Sequence, residues 1–153
     1  KMKFTVNTIA KSLAEYLKPL LPEYTFIENP AQGGIITPCL FLQQRYSNIE
    51  LQTGGFYKRR IGLDLTCLQD YNLPNLQQLY EATAEVLDIA LENFPYNDGE
   101  STQTVLIKTH NREWNIDLDA LHYKFDIEER VIIPKKNIKM QTIQELNEEV
   151  KLK

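Results

Sequence analysis

The residues able to do chemistry are few. Two histidines, His110 and His122, two cysteines, Cys39 and Cys67, and the close acid pairs Asp117 with Asp119 and Glu128 with Glu129 are the candidates in a chain of 153 residues. A protein zinc site takes three or four protein ligands. His110 and His122 fall on opposite limbs of one expected hairpin with no third ligand nearby, so they read as ordinary strand histidines. Cys39 and Cys67 sit in apolar surroundings that raise a thiol pKa, neither stands at a strand-to-helix elbow, and no G-x-S-x-G occurs. Gly33-Gly34 and Gly54-Gly55 lack the motif context that cradles phosphates and read as turns. The acid pairs read as solvated loop and edge residues rather than as a general acid with its base. No catalytic residue, no metal ligand and no cofactor is expected.

Two charged groups survive this sieve. Lys58, Arg59 and Arg60, joined by Arg45 across an expected hairpin, are cationic in a chain of net charge −4. Glu81, Glu85, Asp88 and Glu92 form an acidic row at helical spacing. Two solvated faces would account for both, because surface ion pairs contribute little. The functional reading is a subunit interface in which the basic limb of one copy meets the acidic helix of the next. Such a head-to-tail contact closes into a ring if its rotation permits. A nucleic-acid-binding module using Lys58, Arg59, Arg60, Lys108 and Arg112 is a further alternative, against which the overall pI of about 5.3 weighs.

The elements that must position these groups follow from periodicity. Thr37 to Asp70 reads as a long antiparallel hairpin. Its return limb alternates, with Ile61, Leu63, Leu65 and Cys67 on one side and Gly62, Asp64 and Thr66 on the other. Folding symmetrically about Thr53 would set Cys39 opposite Cys67. A one-residue slip would instead place Leu40 and Leu42 with Leu63 and Leu65. The outer part of this hairpin is longer than one small sheet needs, so its tip is expected to project towards a neighbouring subunit. A first helix is expected from Thr8 to Leu20, capped by Asn7 or Thr8, with Ile9, Leu13, Tyr16, Leu17 and Leu20 as its apolar stripe. Tyr24 to Glu28 can make a short strand, followed by a loop through Asn29-Pro30 and Gly33-Gly34. A second helix is expected from Pro74 to Phe94, capped by Asn72, with Leu76, Leu79, Thr83, Val86, Leu87, Ala90, Leu91 and Phe94 inward and Pro95 to Ser101 as a loop. The second hairpin takes Val105 to Ile116 and Leu121 to Ile133, with its turn at Asp117 to Ala120 and room for a bulge at Asn111 to Glu113.

These elements make an α+β domain over residues 1–134: a mainly antiparallel sheet built from two hairpins, with two helices packed on one face. Residues 135–153 form a polar extension in which Met140, Ile143, Leu146 and Val150 could align as a C-terminal helix. No apolar run approaches the roughly 18 to 20 residues of a membrane span, so no membrane partner and a cytosolic setting are expected.

Taken together, TPCLFL from Thr37, FYKRRIGLDLTCL from Phe56 and LHYKFDI from Leu121, set between a short N-terminal helix, a second helix and a closing hairpin, resemble the small tail terminator proteins of long-tailed bacteriophages and phage-derived tail-like particles. The likeness runs from about Thr8 to Arg130. It implies a non-enzymatic assembly protein that forms a homo-oligomeric ring, commonly a hexamer, in the virion tail or tail-like particle, put together in the host cytoplasm. That ring would cap the tail tube, stop its polymerisation and offer a docking surface to head–neck proteins, with DNA passing through and no sequence-specific binding. A head–tail joining or tail-tube protein is the alternative within the same particle, and a small enzyme is the alternative outside it.

Overall fold

The computed structural model describes residues 2–28 and 36–131. The Asn29-Pro30 and Gly33-Gly34 loop, and the extension with its expected C-terminal helix, lie outside the described residues. Eight elements occur in the order α1 (Val6–Leu17), β1 (Thr25–Phe26), β2 (Cys39–Leu51), β3 (Tyr57–Leu68), α2 (Leu76–Ala90), β4 (Asn93–Tyr96), β5 (Val105–Asp117) and β6 (Ala120–Val131).

Helix α1 starts two residues earlier than its apolar spacing suggests because Thr5, not Asn7 or Thr8, caps it. The Thr8 N–H donates to Thr5 Oγ1 at 3.1 Å and the Thr5 N–H donates to Thr8 Oγ1 at 3.0 Å, satisfying two donors that a helix start otherwise leaves open. Ile9, Leu13 and Leu17 recur at four-residue spacing and are buried, whereas Leu20 lies past the helix end and is exposed. Helix α2 is shorter than expected at both ends. Its buried face runs through Tyr80, Thr83, Ala84, Leu87 and Ala90, rotated from the expected stripe towards Tyr80 and Ala84.

The α+β arrangement of two hairpins is corrected here. The strands form one six-stranded sheet in the order β1-β2-β3-β6-β5-β4, it curls towards a half-barrel, and with only 22% helix the domain is mainly β. The sheet is mixed, because β1 runs parallel to β2, pairing Thr25 with Cys39 and Phe26 with Leu40. Strand β4 straddles the end of the expected second helix and the start of the expected loop from Pro95: Leu91 and Phe94 continue a helical spacing, yet Phe94 and Tyr96 alternate inward and pair with β5. The seam between the two hairpins is β3 against β6, paired along its whole length from Leu68 with Ala120 to Tyr57 with Val131. The outer part of the first hairpin is therefore no lone projection, since β6 backs it as a third strand.

The register resolves the cysteines. A bulge between Gln44 and Tyr46 shifts the β2–β3 pairing, so Cys39 faces Leu68 and Leu40 faces Cys67. Both thiols are free and fully buried. Leu40, Leu42, Leu63, Leu65, Leu121, Tyr123, Phe125 and Ile127 join Ile9, Leu13, Tyr80 and Leu87 in one core. The expected turn and bulge of the second hairpin are also present, with Leu118 and Asp119 at φ 50° and 60° and Asn111 at φ 52°.

Large buried tyrosines join the helices to the sheet while finding partners for their hydroxyls, as a buried phenol must. Tyr80 donates to the Asp119 carbonyl at 2.6 Å and accepts from the Gln69 N–H at 2.9 Å. Tyr24 lies 2.8 Å from Thr83 Oγ1, and burial pushes its phenol up to about 12. Tyr96 donates to the Lys3 carbonyl and stacks on Phe4. Replacing Tyr80 by Phe removes the partner of the Asp119 carbonyl and of the Gln69 N–H, two part-buried bonds, and should destabilise the domain by about 1 to 2 kcal/mol. The exposed Tyr71→Phe is the control, and equal urea midpoints for the two variants would refute the role given to the Tyr80 hydroxyl.

Candidate functional site

Along β3 and β6 the side chains opposite the core are polar, and several are buried. Asp64 is 7% exposed, Thr66 3% and Asp126 4%, although their alternation with apolar residues placed them on the solvent side. Each finds a partner. Thr66 Oγ1 donates to Asp64 Oδ1 at 3.1 Å, and His122 Nδ1 stands 2.9 Å from Asp64 Oδ2. Arg45, the bulged residue of β2, reaches across β3 to Asp126 Oδ1 at 3.0 Å while its Nε donates to the Leu63 carbonyl. Asn111, in the bulge of β5, donates to Asp126 Oδ2 at 2.9 Å. One carboxylate on β6 thus holds the bulges of both flanking strands. Over the same spot the Tyr46 ring covers Gly62, where an added Cβ would stand 2.1 Å from a ring carbon.

The expected cationic group divides. Arg45 belongs to the Asp126 cluster and not to Lys58, Arg59 and Arg60. Those three face β6 in register, where Lys58 meets Glu128 at 3.0 Å, Arg59 meets Glu129 at 3.1 Å and Arg60 meets Glu128 at 3.4 Å. His110 adds a contact to Glu128 at 3.3 Å, and Arg130 covers the Phe56 ring at 3.9 Å. Glu128 and Glu129 are therefore the partners of the basic run, which spacing within one strand could not reveal. The Lys58 ammonium, hydrogen-bonded to Glu128, together with the His110 and Arg60 charges, holds the Glu128 carboxyl below its ordinary value.

Of the acidic row, Glu81, Glu85 and Asp88 lie on α2 and Glu92 falls in the turn past its end, all four exposed. Glu81 accepts from Gln77 at 3.2 Å. Asp88 differs from the others: it accepts from the Tyr123 hydroxyl at 2.6 Å, and Arg112 donates to its backbone carbonyl. That carboxylate ties α2 to β6, and burial together with Asp88 pushes the Tyr123 phenol well up. His110 and His122 contact different acids, Glu128 and Asp64, rather than each other. Burial raises both thiol pKa values, that of Cys67 strongly. Among the described residues no group of three or more His, Cys, Asp or Glu is placed to hold a metal ion. No helix of the described residues is long and apolar enough to cross a membrane.

A curled sheet whose polar side chains are engaged in tying its own strands together defines a structural β domain. The family model described as phage tail terminator protein matches residues 8–139, and the chain belongs to that family. This is a structural family whose members are components of the virion tail, associated with other tail or head–neck proteins. The resemblance carried by TPCLFL, FYKRRIGLDLTCL and LHYKFDI is borne out. No curated protein matches the chain.

Two predictions follow from the polar face. Asp126→Ala strands Arg45 and Asn111 together and should cost about 2 to 4 kcal/mol, the lower end reflecting the partial exposure of Arg45. A denaturation midpoint within error of wild type would show that the bulges hold without it. For Glu128, a folded pKa held below the ordinary 4.5 means stabilisation that is present above that value and lost as the pH falls through the lowered pKa. Glu128→Gln lacks this linkage. Its urea midpoint should lie below that of wild type at neutral pH and converge with it under acid conditions, and parallel pH profiles would contradict the pairing.

Proposed function

We propose that the chain terminates tail-tube growth by forming a closed ring, of six copies on the resemblance, whose one face copies a tube-subunit contact while the other lacks it and receives head–neck proteins. The family match over residues 8–139 carries this reading. The mainly β domain supports it, because two ends of one sheet can join head to tail, and a heterologous contact whose rotation closes makes a ring. Assembly takes place in the host cytoplasm, and DNA passes through the bore without sequence readout. The domain runs to residue 134, with 135–153 as an extension. Added to polymerising tube subunits, the purified chain should arrest tube length at substoichiometric amounts. Incorporation along the tube wall would instead identify a tube protein.

The charged groups take part as a contact between copies in this proposal. Arg59 and Arg60 keep 39% and 36% of their side chains exposed while bound to Glu129 and Glu128, and in this proposal they meet Glu81, Glu85, Asp88 and Glu92 of the next copy. Lys58 extends the same basic limb, and Arg45, bound to Asp126 on β6, takes part through the 30% of its side chain that stays exposed. Reversing Arg59 or Arg60 would also break the ladder inside the chain, so the informative change is on the exposed side. Glu81→Lys with Glu85→Lys should leave monomer stability within about 0.5 kcal/mol and make ring assembly weaker and more salt-sensitive. Unchanged assembly by light scattering at low and high salt would remove these residues from the interface.

A further inference from the structure

Strands β2 and β5 are long, and their neighbours cover only part of each. Strand β1 pairs with β2 only at Cys39 and Leu40, and β4 pairs with β5 only from Val105 to Lys108. Among the described residues, β2 beyond Leu40 and β5 beyond Thr109 have no strand on their outer side. Backbone groups alternate in direction along a strand. The Leu40 carbonyl accepts from Ile27 on the β1 side, so Leu42 and Gln44 turn their N–H and C=O groups outward as well. On β5, Asp117 and Ala120 pair across the two-residue turn Leu118-Asp119. Such a pair is mutually hydrogen-bonded, which leaves Trp114 and Ile116 with outward backbone groups.

These two edges match each other. Leu42, Leu65, Tyr123 and Trp114 lie in one row across the sheet, so both edges are open at the same level. With β2–β3, β3–β6 and β5–β6 all antiparallel, β2 and β5 run in opposite senses. A copy set beside the first therefore presents β5 antiparallel to β2. Trp114 and Ile116 are each 37% exposed and lie on the core side of the sheet with Tyr123 and Leu121, the side that also carries Leu42. Pairing the edges would continue the core across the junction and cover both. Free edges with apolar flanks are templates for strand addition, and native proteins blunt them with Pro, with charged side chains, above all Lys, or with bulges; here the bulges fall at Gln44/Tyr46 and His110/Glu113, close to the Leu42 and Trp114 row. No Pro or Lys occurs from Cys39 to Leu51, and none from Thr109 to Asp117.

We infer that successive copies of this chain join by strand addition, the β5 edge around Trp114 and Ile116 pairing antiparallel with the β2 edge around Leu42 and Gln44 of the next copy. This rests on the ring reading above and specifies its junction. Each copy carries one edge of each kind, so every junction leaves the same pair open until the circle closes.

The test is backbone hydrogen exchange on the full chain, read at Leu42, Gln44, Trp114 and Ile116, in the assembly and in subunits dissociated by dilution. These amides should exchange about tenfold or more slowly in the assembly. An assembly in which they exchange at the dissociated rate overturns the strand junction and leaves the ring reading standing. Failure to assemble, alone or with tube subunits, overturns the ring reading and this inference with it. Slow exchange already in the monomer would mean that residues of the same chain cover the edges, which also overturns it. Gln44→Pro removes an N–H that points away from β3, a change edge strands tolerate. It should weaken assembly about tenfold relative to Gln44→Ala, and equal assembly of the two variants would count against the junction; should the proline variant fail to fold, the exchange rates decide.

Discussion

The sheet depends on the carboxylate of Asp126. Its two oxygens are taken by Arg45 of β2 and Asn111 of β5, so a single residue on a central strand fixes the irregular points of the strands on either side. A bulge puts an extra residue into a ladder, increases the local twist and leaves backbone groups to be accounted for. Here the extra residues supply the side chains that reach inward. Arg45 also donates to the Leu63 carbonyl, and its guanidinium lies over the Tyr46 ring. The charge is buried but paired and hydrogen-bonded, the condition under which a buried carboxylate can be kept at all.

The same logic operates at two further places on the domain. Towards Tyr57 and Val131, the Lys58, Arg59 and Arg60 ladder with Glu128 and Glu129 satisfies the outer three-stranded region without a helix over it. Under α2, Asp88 binds the Tyr123 hydroxyl and Tyr80 binds the Asp119 carbonyl, so polar bonds fasten the helix to β6 and to the turn that precedes it. Apolar contact supplies most of the driving force for this packing. The phenols decide where along the sheet the helix stops, because sliding it would break both of these part-buried bonds.

Much of this architecture is written in local pattern. Leu121, Tyr123, Phe125 and Ile127 alternate because β6 has one apolar side, and the turn at Asp117 to Ala120 with its nearby bulge falls where turn residues interrupt that alternation. The family resemblance likewise rests on strings within single elements. What local pattern conceals depends on partners distant in the chain. Asp64 and Asp126 look solvent-facing on their own strands, and only the β3–β6 pairing and the bulge residues bury them. Cys39 and Cys67 miss each other by one residue because the hairpin turns about Gly54 and not Thr53, an offset that the bulge at Arg45 only partly takes back. Strand β4 was concealed because Leu91, Phe94 and the end of α2 share a spacing that suits both helix and strand. Of the candidate site, Glu81, Glu85 and Asp88 stand on the helix where their spacing put them and Glu92 falls past its end, whereas the basic group was split by acids read as unrelated surface charges.

The β3–β6 seam also sets the order in which the molecule can become useful. Each hairpin can form from neighbouring residues, but the seam joins segments as distant as Tyr57 and Val131, and contacts of high sequence separation close slowly because their chain entropy is lost before the contacts reward it. Until the seam is made, β2 and β5 belong to two separate ribbons with no fixed spacing. Afterwards they are the two margins of one rigid sheet, held at matching levels through Asp126. On the proposed junction, folding is the clock for association: a newly made chain has no margins to offer, and acquires them together when its two halves lock.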